Sequence, residues 1–217
     1  MKRLSGAARA EQYPAPTEEA APLPGDAPAV APLRRLLKNT RLEAAPLALA
    51  YDADRDGWTV GALLAGVATR GASVVVAETA GGAVCGGYAP RSWLGLGEEK
   101  SAMSAFLFTW RDGNTAGPIT KLAKVGGPGL ALIDRPGEGP RWGAEGLTIP
   151  LAPSDPRLAK SRLGTYYARL PDGGRSLFAE GETWKEGAQL KSLRVWVAEG
   201  GPEAWELDGV VWKTAEG

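Results

Sequence analysis

The chain has 217 residues, 44% of them apolar, enough for one sizeable domain with its own core. Its 25 basic and 25 acidic residues cancel to a formal net charge of zero, so no global positive field exists to hold nucleic acid or an anionic membrane. Histidine is absent and cysteine occurs once, which excludes Ser-His-Asp and Cys-His nucleophile systems, Cys/His zinc sites and an internal disulfide, and fits a reducing, cytoplasmic setting.

Residues 1–31 are rich in Ala, Pro and Glu and poor in large apolar side chains. Such a segment buries too little surface to offset its ordering entropy, so it reads as a disordered or extended N-terminal arm. Its opening, "MKRLSGAARAEQYPAPTEEAAPLPG", has a basic start but not the apolar core of a secretory leader, and no apolar run in the chain approaches the ~18 residues of a membrane span. A domain is expected over 32–199. It opens with "LRRLLKNTRLEA", a short basic helix candidate with Leu33, Leu36, Leu37 and Leu42 on one edge.

"PLALAY" reads as a strand, and "DADRDG" follows it. Asp52, Asp54, Asp56 and Gly57 match the first ligands and the glycine of a calcium-binding EF-hand loop, but its twelfth position, where a bidentate Glu belongs, is Leu63. The alternative is a polar turn between a strand and a helix, with Asp56 near the helix start, where negative charge is favourable. Val60, Leu63, Leu64 and Val67 then share one helix face, Thr59 is placed to cap the helix and Gly71 to end it.

Antiparallel strands are expected next. "SVVVAETAGGAVCGGYA" flanks Gly81-Gly82 with β-branched runs, and "SAFLFTWRDGNTAGPITKLAKV" repeats the pattern around Asp112-Gly113. "LALIDR", "GLTIPLA" and "LKSLRVWVAE" are further strands, and residues 200–217 form a C-terminal tail. Many short strands separated by the 30 glycines and 17 prolines, with few helices, point to a mainly β fold of α+β type. Two antiparallel sheets would pack as a sandwich flanked by short helices.

Taken in order, these segments resemble a TLDc domain. "LALAYDADRDGWTVGALLAGV" is similar to that family's opening strand, turn and helix, and "ASVVVAETAGGAVCGGYAPRSW" to its hairpin ending in a Trp. "SAFLFTW" resembles its Phe-Leu-Phe strand, "GPRWGAEGLTIPLA" its glycine-rich segment, and "LKSLRVWVAE" its closing strand. The chain departs from the pattern at Ala102, Met103 and Ser104 and at Leu193-Arg194, where acidic residues are common. The resemblance implies a sandwich of two antiparallel sheets, a role in resistance to oxidative stress, and binding to a protein partner such as the vacuolar proton-pumping ATPase. It implies no cofactor and no reaction.

The expected function is therefore a non-catalytic protein-interaction domain, attached to a large intracellular assembly through its sheet edges and tails. Tyr13 in the arm and Trp205 and Trp212 in the tail are the candidate partner-binding residues, since exposed aromatics anchor interfaces well. Two alternatives rest on single features: an oxidant-defence enzyme using Cys85, and a calcium-responsive module at Asp52-Asp54-Asp56. Cys85 lies within a strand, without the cation or helix N-terminus that lowers a thiol pKa. Without histidine, acid–base work would fall to carboxylates, lysine or tyrosine, with Glu98, Glu99, Glu138, Glu145, Glu180, Glu182 and Glu186 as the acidic candidates. "KVGGPGLAL" lacks the Gly-Lys-Ser/Thr of a phosphate loop. Trp93, Trp110, Trp142 and Trp196 are read as packing residues.

Overall fold

Alternation of side chains along extended segments builds two antiparallel sheets, and the computed structural model describes them over residues 19–201. Tyr13, Trp205 and Trp212 lie outside the described residues. The larger sheet has seven strands. These are β1 (Leu47–Asp52), β2 (Ser73–Thr79), β3 (Val84–Ala89), β5 (Phe106–Trp110), β6 (Thr120–Ala123), β10 (Leu158–Ala159) and the long β11 (Ala188–Ala198). Their order is β1-β11-β2-β3-β5-β6, and β10 adds to the start of β11. The smaller sheet runs β4 (Glu98–Lys100), β7 (Leu132–Asp134), β8 (Arg141–Trp142) and β9 (Leu147–Thr148). Among the described residues the α-helices are short: α1 (Ala31–Leu36), α2 (Ala53–Asp56) and α3 (Val60–Val67). The mainly β, two-sheet fold expected from the sequence is therefore the one found, and no described helix is long and apolar enough to cross a membrane.

The inner faces of the sheets meet in one core. Val75, Ala77, Cys85, Leu107, Leu122 and Val195 of the larger sheet pack with Leu132, Trp142 and Leu147 of the smaller one. Both expected hairpins form. Gly82 takes a positive φ of 92° at the first turn, a conformation open to glycine, and Gly113 does so at 72° in the loop from β5 to β6. The Gly86-Gly87 step of β3 serves close packing: a Cβ on Gly87 would strike the Trp142 indole, and one on Gly86 the carbonyl of Val75. Thr59 caps α3 by accepting the Ala62 N–H at 3.1 Å, and Leu63 and Val67 are buried. The helix ends at Val67, ahead of Gly71.

The outer face of the larger sheet carries a second core. Val74, Tyr88, Phe106, Phe108, Trp110 and Trp196 meet Val30, Leu33, Leu36, Leu37 and Leu42, so all four leucines of the basic helix candidate are buried. Residues 19–30, assigned to the arm by composition, lie against this domain. Val30 and Ala20 are buried, the Ala20 N–H donates to the Arg35 carbonyl at 3.3 Å, and buried Arg34 pairs with Asp26 at 2.7 Å. Arg34 also donates to the carbonyls of Leu42 and Glu43, and its hydrogen bond is the main force lowering the Asp26 pKa. A count of large apolar side chains misses such contacts, because small residues and one shared guanidinium make them.

Candidate functional site

Strand register places one side chain from each of four strands in a row on the outer face. Ser192 of β11 lies opposite Glu78 of β2, Glu78 opposite Val84 of β3, and Val84 opposite Trp110 of β5. The next row begins with Arg194 opposite Val76, and the third with Trp196 opposite Val74. The segment from Val30 to Leu42 covers the third row. The first two remain open to a groove of about 230 Å³, walled by Pro28, Pro32 and Leu33, with Thr115 also among its lining residues. That volume is below the roughly 300–1,000 Å³ that encloses a whole small molecule, and it suits an inserted side chain.

The groove pairs an apolar floor with polar groups at its border. Val76, Val84, Trp110 and Trp196 line it, and Phe108 braces Trp110 edge-on at 5.7 Å. Trp110 is 2% exposed, and its indole N–H has no hydrogen-bond partner among the described residues. A buried donor left unpaired costs about 1–3 kcal/mol, so Trp110 is held in place by its packing rather than by a hydrogen bond. Lys191 holds Glu78 at 3.2 Å, and Arg194 holds Asp52 at 2.9 Å.

Cys85 lies on the opposite, inner face, between Ala77 and Thr109, with no exposed surface. Burial, followed by the charge of Glu182, pushes its thiol up to about 12. At neutral pH it stays a thiol, packed as a small hydrophobe. Native protein should therefore resist alkylation by iodoacetamide for hours at pH 7.5, and the same sample in concentrated urea should label at Cys85 within minutes. Native labelling at the unfolded rate would contradict this.

The aspartate turn is an ionic clasp. Asp52 caps α2 by accepting the Asp54 N–H at 3.1 Å, and Asp56 accepts the Asp52 N–H at 2.9 Å. Arg194 meets Asp52, Arg157 meets Asp54 at 3.2 Å, and Arg55 meets Asp56 at 2.7 Å. The Trp58 indole donates to Asp54 at 3.0 Å and lies under the Arg157 guanidinium. The Arg55 hydrogen bond, then the Asp52 N–H, lowers the Asp56 pKa to about 2. Burial raises that of Asp52, but the Arg194 hydrogen bond and the Asp54 N–H bring it below its ordinary value. Leu63 is buried on α3, so the twelfth loop position offers no side-chain oxygen. Among the described residues, no three His, Cys, Asp or Glu side chains gather as metal ligands would.

The glutamates are dispersed rather than facing one another across a cleft. Glu182 binds the hairpin turn through the Thr79 hydroxyl at 2.7 Å and the Gly81 N–H at 2.9 Å. Glu138 pairs with Arg141 and Glu145 with Arg162, each at 2.7 Å, while Glu180 and Glu186 face solvent. In "KVGGPGLAL", the Lys124 ammonium donates to the carbonyls of Gly126 and Gly127, so the segment turns acceptors toward a cation instead of amides toward a phosphate.

Trp93, Trp110, Trp142 and Trp196 are buried, as packing residues should be. Four charged side chains that sequence reasoning did not single out are buried, Arg34, Lys100, Lys124 and Asp134, and the first two sit in runs, "PLRRLL" and "GEEKSA", that read as solvated. No protein-family model matches the chain, and no curated protein matches it.

Proposed function

We propose that the chain is a non-catalytic, TLDc-type protein-interaction domain that works as part of a larger intracellular assembly. One observation carries this reading: the outer face of the larger sheet is only partly covered, leaving a groove floored by Trp110 and Trp196 that is too small for a whole small molecule and sized for a partner's side chain. The order of TLDc-like segments along the chain and the two antiparallel sheets support it. So does the sealed position of Cys85, which speaks against the oxidant-defence alternative. Through the resemblance, the expected partner is a protein such as the vacuolar proton-pumping ATPase, and the expected setting is resistance to oxidative stress. Tyr13, Trp205 and Trp212 are proposed as additional contact residues on the segments flanking the domain.

The test fills the groove. Val84→Arg and, separately, Ser192→Arg place a long cation among its lining residues without touching the inner core. Affinity isolation from native extract with mass spectrometry should lose the wild-type partner set in both variants, while melting temperatures stay within a few degrees. Unchanged partners at unchanged stability would refute the groove as the interaction site.

A further inference from the structure

Only two large apolar side chains are exposed among the described residues, Leu96 at 67% and Met103 at 46%. They are not scattered. Leu96 precedes β4 by two residues and Met103 follows it by three, so both flank the same strand. β4 ends the order of the smaller sheet, with β7 as its single strand partner. Its outward groups are acidic: Glu98 and Glu99 are both exposed. Glu99 has no ion pair among the described residues, and Glu98 has only Lys100 at 3.4 Å. Lys100 is buried and already committed to Asp134 at 3.1 Å and to the Ser92 carbonyl at 2.7 Å.

An edge strand presents backbone donors and acceptors on one side, and proteins guard such edges with shortness and charge. Two adjacent carboxylates repel a second copy of the same edge, because like charges opposite one another are destabilising. They do not repel a strand carrying lysine or arginine. We propose that the β4 edge is a second docking site, on the smaller sheet, for an extended basic segment of another protein. Main-chain pairing along β4 supplies affinity, Glu98 and Glu99 select the cations, and Leu96 and Met103 clamp apolar residues at the two ends. This deepens the interaction-domain reading but does not use the outer groove, and the two can fail separately.

The test uses the full chain and a fluorescently labelled short peptide alternating lysine and valine, read by anisotropy at low salt. A peptide alternating glutamate and valine is the charge control, and a lysine–valine peptide with alternate amides N-methylated is the main-chain control. The basic peptide should bind at least about tenfold tighter than the acidic one, since complementary charge sets partner choice. Glu98→Lys with Glu99→Lys should reverse that preference. Leu96→Ser with Met103→Ser should weaken the basic peptide several-fold at unchanged melting temperature, and N-methylation should abolish binding. Absence of basic-peptide binding, equal binding of both peptides, insensitivity to the charge reversal, or full binding of the N-methylated peptide would each overturn the proposal. So would dimerisation of the wild-type chain that the charge reversal abolishes, because the occupant would then be a second copy. Val84→Arg should leave peptide binding intact. Loss of partner recovery in that variant with peptide binding retained supports the edge, while loss of peptide binding as well would overturn its independence.

Discussion

Asp134→Ala will lower the unfolding free energy by about 3–5 kcal/mol, the range for breaking a buried ion pair from one side. The Lys100 and Asp134 side chains are both 3% exposed and meet at 3.1 Å. Asp134 also accepts the N–H groups of Leu94 at 2.7 Å and Gly95 at 2.8 Å, so a single carboxylate fixes the entry to β4 and compensates the lysine. Truncation leaves a buried ammonium held mainly by the Ser92 carbonyl. Lys100→Met with Asp134→Leu should recover part of the loss, because a buried pair can be replaced by apolar groups at little cost. It should not recover all of it, because the Leu94 and Gly95 N–H groups stay unpaired, at about 1–3 kcal/mol each. Urea unfolding with an unchanged slope would show this, together with a melting shift of roughly 6–20 °C for the single variant. A loss under about 1 kcal/mol for Asp134→Ala would mean that the pair is open to water and of the surface kind.

Much of the larger sheet was legible because local chemistry and global packing agree there. The β2–β3 hairpin shows a β-branched run on one side and a Gly-Gly turn in the middle, and β5 and β6 flank an Asp-Gly step. β4, β8 and β10 were not legible, since each has two or three residues and lacks the flanking apolar run that marked the equally short β7 in "LALIDR" and β9 in "GLTIPLA". Their pairing comes from the chain around them. Residues 19–30 were misjudged for a related reason: Ala20 and Val30 look too small to hold a segment, and what holds it is Arg34 reaching Asp26, eight residues away.

The groove could not be read from spacing. Ser192, Glu78, Val84 and Trp110 fall in one row only through the register of four strands, one of them the last of the described strands. Trp110 and Trp196 were recognisable as packing residues, and they are buried, but nothing in the sequence shows that the surface above them is left half covered. The inertness of Cys85 was legible, because a thiol inside a strand, without a neighbouring cation, has nothing to lower its pKa. The reverse holds at β4, where "LGLGEEKSAM" looks like an ordinary polar loop until the sheet order makes it an edge.

Gly87→Ala will destabilise the fold by about 3 kcal/mol, the upper end of the usual cost of overpacking. The added methyl would lie inside the contact distance of the Trp142 ring, and that ring has nowhere to go. Trp142 is fully buried, its N–H donates to the Tyr88 carbonyl at 3.0 Å, and Trp93 stands edge-on to it at 5.2 Å. Moving the indole would break a buried hydrogen bond and disturb the junction between the two sheets. Trp142→Ala should cost about 3–5 kcal/mol by leaving a large cavity in the same place. The two changes meet at one contact, so they should not add. With the indole gone, the methyl of Gly87→Ala has room, and the double variant should be more stable than the sum of the single losses by about 1–3 kcal/mol, within the range of coupled neighbours. A double-mutant cycle by urea unfolding measures this directly. Additivity within about 0.5 kcal/mol would show that Gly87 and Trp142 do not constrain each other, and that the glycine serves the strand backbone instead.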